Sequence, residues 1–221
     1  SVDKDLAIKI IIALKNYISG SEIKSFFIID EIIKNERYNS LKVELIAAKF
    51  ALGLKLFDLA NIYLVEYEKR VQDDPECRIE IARLAYYRKN YKKVIHQLNL
   101  AFNKQWVFFS EESLAEYYES LYYLNKNKFI NFLGVGEVSF SNLNRLVALF
   151  FKNEDWLLIL QYEKMIKSLD SNDILFSDTA LSLFYAYIEL DQLPEALEFG
   201  LSIKDKIKGK RKIKFLGKLS Q

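Results

Sequence analysis

The sequence predicts an all-α chain: a single domain over residues 1–221, in which about six antiparallel helix hairpins and a terminal helix stack as an α-α superhelix. Three observations lead there. Only 7 Gly and 2 Pro interrupt the 221 residues, too few turn formers for a sheet-rich protein. Apolar residues recur at the helical period along nearly the whole chain. A 34-residue interval then returns the same residue classes to the same places, as expected of a chain that repeats one packing unit.

The periodicity predicts helices at about 3–19, 21–36, 40–53, 56–71, 75–89, 91–104, 111–126, 128–134, 142–153, 155–169, 173–190, 193–206 and 210–220. Local chemistry supplies the breaks. Ser19-Gly20-Ser21 ends the first helix, and Asn39-Ser40 offers a cap for the third. Asp74-Pro75 is an N-cap followed by Pro at N1, where its missing N–H costs nothing. Asp170-Ser171-Asn172-Asp173 is a further polar break, and Gly134-Val135-Gly136 opens an irregular loop over about 134–141. Connections of a few residues force consecutive helices to run antiparallel.

The interval is carried by named residues. Ala48 and Ala82 are 34 residues apart, as are Phe57 and Tyr91, Ala60 and Val94, and Leu64 and Leu98. Three periods, 102 residues, take Tyr91 to Leu193 and Val94 to Ala196. In this pattern the chain resembles the tetratricopeptide repeat family. That family places a large-small pair on helix A, an aromatic near its end, an aromatic before helix B and a small residue on B. Ile81-Ala82, Tyr91, Val94, Leu98 and Ala101 match it, and so do Ala48, Phe57, Ala60 and Leu64. Tyr187, Leu193 and Ala196 match further on, but Phe184 stands where a small residue belongs. Between Tyr91 and Leu193 the steps through Phe129 and Trp156 are 38, 27 and 37 residues, so the middle units are degenerate. Residues 3–36 fit weakly, and Leu216-Gly217 reads as the large-small pair of one more helix A.

Composition narrows the function classes. Lys+Arg 32 against Asp+Glu 30 leaves a net charge of +2, which favours neither nucleic acid nor a strongly acidic partner. Eight basic residues and one acid fall between Lys204 and Lys218, a stretch that reads as the solvated face of a last helix. One cysteine, Cys77, excludes an internal disulfide framework, and one Cys with one His, His96, gives no zinc spacing. This fits a reducing compartment and favours the cytoplasm, with a removed signal segment as the alternative. No apolar run reaches the length of a membrane span.

No catalytic residue, cofactor site or metal site is expected. Gly134-Val135-Gly136 has Ser139 in the third glycine's place and no strand before it, so it reads as a loop. Asp73-Asp74 and Glu111-Glu112 read as helix-start carboxylates. The resemblance implies a groove lined by helix A, which places Lys42, Leu45 and Lys49 in one repeat. It places Glu76, Ile79, Arg83 and Tyr86 in the next, and Asp178, Leu181 and Tyr185 in the last. Lys49 and Arg83 would then form a positive stripe open to an acidic or C-terminal peptide. Leu45 and Ile79 stand where the family's carboxylate clamp needs polar residues. Tyr117, Tyr118, Tyr122 and Tyr123 cannot all face one core stripe, so part of this cluster, Tyr117 foremost, is a candidate contact. The resulting expectation is a non-catalytic scaffold or adaptor that binds a protein or peptide. A peptide-sensing domain of a larger regulator and a self-assembling subunit, hence a homo-oligomer, are the alternatives.

Overall fold

In the computed structural model, residues 2–35, 42–102, 110–133, 138, 140–172, 176–207 and 210–219 are described. Among them the chain forms fourteen helices and no strand. It divides into two compact units, Ser1–Leu124 and Asn125–Gln221.

The first unit holds α1 (Val2–Ile18), α2 (Glu22–Asn35), α3 (Val43–Gly53), α4 (Phe57–Arg70), α5 (Pro75–Tyr87), α6 (Tyr91–Phe102) and α7 (Glu111–Leu124). Consecutive helices pack on one another, most extensively α1 on α2, α3 on α4 and α5 on α6. The core runs through Leu6, Ile29, Leu45, Ala48, Ala60, Leu64 and Tyr67. Buried alanines on α3 and α4 let the paired axes approach closely. Each large aliphatic side chain buried here contributes roughly 1.5–3 kcal/mol.

The second unit holds α8 (Lys126–Leu133), α9 (Phe140–Lys152), α10 (Trp156–Gln161), α11 (Glu163–Lys167), α12 (Phe176–Glu189), α13 (Leu193–Ile203) and α14 (Lys210–Leu219). Phe129, Phe150, Ile159, Phe184, Ile203 and Phe215 are buried in it.

Four hairpins turn in the same way. After α3, α5, α9 and α12 a single residue takes the left-handed conformation: Lys55, Lys89, Glu154 and Asp191. In each turn the next N–H returns five residues: Leu56 to Ala51, Asn90 to Ala85, Asp155 to Phe150, and Gln192 to Tyr187, all at 2.8–2.9 Å. The left-handed residue itself donates to the carbonyl three residues back, on Leu52, Tyr86, Phe151 and Ile188. These are Schellman closures, which satisfy carbonyls left orphaned at a helix end. Gly20 closes α1 identically at φ 81°, its N–H on Tyr17 and the Ser21 N–H on Asn16. Lys55 and Lys89 are 34 residues apart and Lys89 and Asp191 are 102.

Three expectations need correction. The segment expected as one helix over 155–169 is two, broken at Tyr162, whose φ/ψ of −99°/9° lies in the bridge region. No Gly or Pro marks that break. Phe140 and Ser141, expected in the loop over 134–141, begin α9; residues 134–137 and 139 lie outside the described set. Gly217 does not serve as a small packing residue, since a methyl added there would meet nothing within 4 Å. Gly200 on α13 does: a Cβ there would lie 2.6 Å from Leu219 and 2.9 Å from the Phe184 ring. By register, Phe184 and Gly200 replace Ala48 and Leu64 of the earlier hairpin. Large and small have changed helices, and that explains how Phe184 is tolerated.

Candidate functional site

The first unit carries an open cleft of about 820 Å³ lined by Lys42, Lys49, Asp74, Glu76, Ile79, Glu80, Arg83 and Glu112, with Tyr17 and Phe50 at one wall. Its lining comes from α3, α5 and the start of α7, with Leu14 and Tyr17 added by α1. Each lining residue is placed by local chemistry. Asp74 caps α5 by accepting from the Glu76 N–H at 2.8 Å, with Pro75 at N1. Helical spacing then puts Glu76, Ile79, Glu80 and Arg83 on one face of α5. Ser110 caps α7 through the Ser113 N–H at 3.2 Å and so presents Glu112 and Glu116. Tyr17 stacks on Phe50 with ring centroids 4.6 Å apart.

The charges pair across helices. Lys42 lies 2.9 Å from Asp74 and 2.7 Å from Glu76, and Lys49 also donates to Glu76. Arg83 meets Glu80 on its own helix at 3.3 Å and Glu112 and Glu116 on α7 at 3.1 and 3.5 Å. Further along, the Tyr86 hydroxyl donates to Glu119. Beneath the cleft the buried Tyr67 hydroxyl donates to Asp74 at 2.6 Å. Thus Lys49 and Arg83 are a repeat apart, as the register required, but carboxylates of the same chain neutralise both.

Burial raises the Asp74 and Glu76 carboxyls, but hydrogen bonds from Tyr67, Lys42 and Lys49 outweigh it and hold both below their ordinary values. Glu80 goes the other way. It is nearly inaccessible, and desolvation pushes it up although Arg83 and Lys49 oppose the shift. Burial lowers Arg83 less than its three carboxylate neighbours raise it.

The remaining expected contacts lie elsewhere. Leu45, expected in the groove, is buried in the core because its aliphatic chain gains by leaving water. Leu181 is likewise buried. Tyr117 is buried on α7, its hydroxyl donating to Asn99 at 3.2 Å, and Tyr118 and Tyr122 are buried beside it. Only Tyr123 of the four is exposed, stacked on Tyr91 at 4.9 Å. Tyr185, in the second unit, makes edge contacts with Phe151 and Phe184. Asp74, Glu80 and Glu112 were missed as cleft residues, and the buried Glu116 as a partner of Arg83. The spacing of Glu112 and Glu116 by four was the available signal. Among the described residues no group of His, Cys, Asp or Glu is arranged to hold a metal, and no helix is long and apolar enough to cross a membrane. No protein-family model matches this chain, and none of the curated proteins matches it.

Proposed function

We propose that this chain is a non-catalytic scaffold of the tetratricopeptide type, an α-solenoid that holds a protein or peptide in the cleft of its first unit. One observation carries the reading: the cleft is lined by four helices of the first unit, α1, α3, α5 and α7, and its charged side chains are fixed by each other before any partner arrives. Preformed helices and paired side chains leave little ordering cost on this side of an interface. The 34-residue recurrence of the left-handed turns supports the repeat assignment. Because cations and carboxylates alternate along the floor, the favoured partner is a segment of mixed charge with an apolar anchor. That anchor would seat against Ile79, Phe50 and Tyr17.

Selection of peptides from a random display library on the immobilised chain, followed by titration of the winners, tests this reading. The comparison protein carries Ile79→Glu and Glu112→Lys, with unchanged helicity confirmed by circular dichroism. Affinity is expected to fall at least about tenfold, roughly 1.4 kcal/mol. Failure to select any peptide, or equal binding by the variant, would sink the assignment.

A further inference from the structure

The helix α1 is apolar on two faces. Leu6, Ile10, Ala13 and Tyr17 recur at spacings of four, three and four and are buried or half-buried against the unit. The opposite face is uncovered, with Ile8 exposed by 54%, Ile11 by 62%, Ile12 by 45%, Leu14 by 39% and Ile18 by 84%. A helix apolar nearly all round is one that buries both sides. Ile8, Ile11, Lys15 and Ile18 follow the three-four alternation of a heptad seam, with Ile12 and Leu14 flanking it. Such a seam fits another helix. Leu14, Ile11 and Ile18 also border a shallow, almost wholly apolar depression on this face.

We propose that two copies of this chain pair through α1, antiparallel, about a twofold axis level with Ala13. In that register Ile8 meets the other copy's Ile18 and Ile11 packs on the aliphatic stem of its Lys15, while at the two edges of the seam Ile12 meets the other copy's Ile12 and Leu14 its Leu14. The seam is therefore its own complement, which an isologous interface requires. Size agrees as well. Five large aliphatic residues, each 39–84% uncovered, offer on the order of several hundred Å² toward the ~800 Å² that each partner gives to a standard interface. Lys15 is the one charge inside the seam. A lone Lys at such a position fixes register and oligomer state at some cost in stability. Leu14 lines both this face and the cleft, so pairing sets the two clefts of the dimer side by side.

Sedimentation equilibrium of the full chain at tens of micromolar, against an Ile11→Glu/Ile18→Glu variant, tests the interface. The wild type is expected at twice the chain mass and the variant at the chain mass, with equal helicity by circular dichroism. A monomeric wild type overturns the proposal, and so does a variant that remains dimeric. A second chain carrying Ile12→Cys and Leu14→Cys is oxidised with diamide. The buried Cys77 does not compete, so a covalent dimer is expected in a reducing-agent-sensitive band. Absence of that band from a dimeric protein rules out the antiparallel register.

Discussion

Asp74 concentrates several roles in one side chain: it caps α5, accepts from the buried Tyr67 hydroxyl and pairs with Lys42. Asp74→Ala is expected to cost about 2–3 kcal/mol, the sum of a lost cap and a stranded buried hydroxyl. Urea denaturation at neutral pH measures it. The pH dependence has a definite sign. Asp74 and Glu76 are held below their unfolded values of 3.8 and 4.5. Their stabilisation is therefore complete above those values and is lost as pH falls through the lower, folded ones. The gap between wild type and Asp74→Ala should accordingly close on acidification below about pH 4. Glu80 contributes oppositely, since its raised folded value favours the protein at low pH and is lost as pH rises through it. A gap that stayed constant from pH 7 to acid would remove Asp74's charge from the account. Cys77 is a simpler case: burial first, then neighbouring acids, push its thiol up to about 12. It should resist a disulfide reagent in native protein and react promptly in denaturant, as colorimetric thiol counting would show.

At the scale of elements, the recurring turn is a stored strain. Each non-glycine residue held left-handed costs on the order of 1 kcal/mol. Lys89→Gly and Asp191→Gly should therefore each stabilise the fold by about 0.5–1 kcal/mol, after allowing for the freer unfolded chain. Thermal denaturation decides, and a loss of stability would mean that the lysine and aspartate side chains hold the turns. Gly200 and Gly217 differ in sign. Gly200→Ala meets Leu219 and the Phe184 ring within 3 Å, and overpacking of this kind costs about 1–3 kcal/mol. Gly217→Ala meets nothing and should gain up to about 1 kcal/mol in helix propensity. These contrasts show what the sequence made legible. Helix positions were readable to within one to three residues for most elements, because period and capping are local. The 34-residue interval located the turns but not their conformation, since no glycine marks Lys55, Lys89, Glu154 or Asp191. The Phe184–Gly200 exchange could not be read from either helix alone, because it is a property of the pair.

For the molecule as a whole, the cleft was legible in its register and not in its electrostatics. Lys49 and Arg83 look like free cations in the chain because most of their carboxylates lie far along it: Glu76 is 27 residues from Lys49, and Glu112 and Glu116 are on α7, while Glu80 is local to Arg83. Which helices stand beside each other decides the pairing, and sequence order states this only once the fold is known. The whole cleft, its caps and its supporting core fall within Ser1–Leu124. That unit has its own continuous core from α1 to α5 and its own closed turns at Gly20, Lys55 and Lys89. A fragment ending at Leu124 should therefore fold by itself, with a cooperative urea transition and the α-helical dichroism of the parent segment. It should also bind any peptide selected by the full chain with an affinity within about threefold, since a difference under 0.7 kcal/mol is what an intact site implies. Cooperative folding with lost binding would place part of the recognition surface beyond Leu124, on the second unit. A non-cooperative transition would instead show that the first unit depends on residues after Leu124 for its stability, and the binding result would then be read only on the full chain.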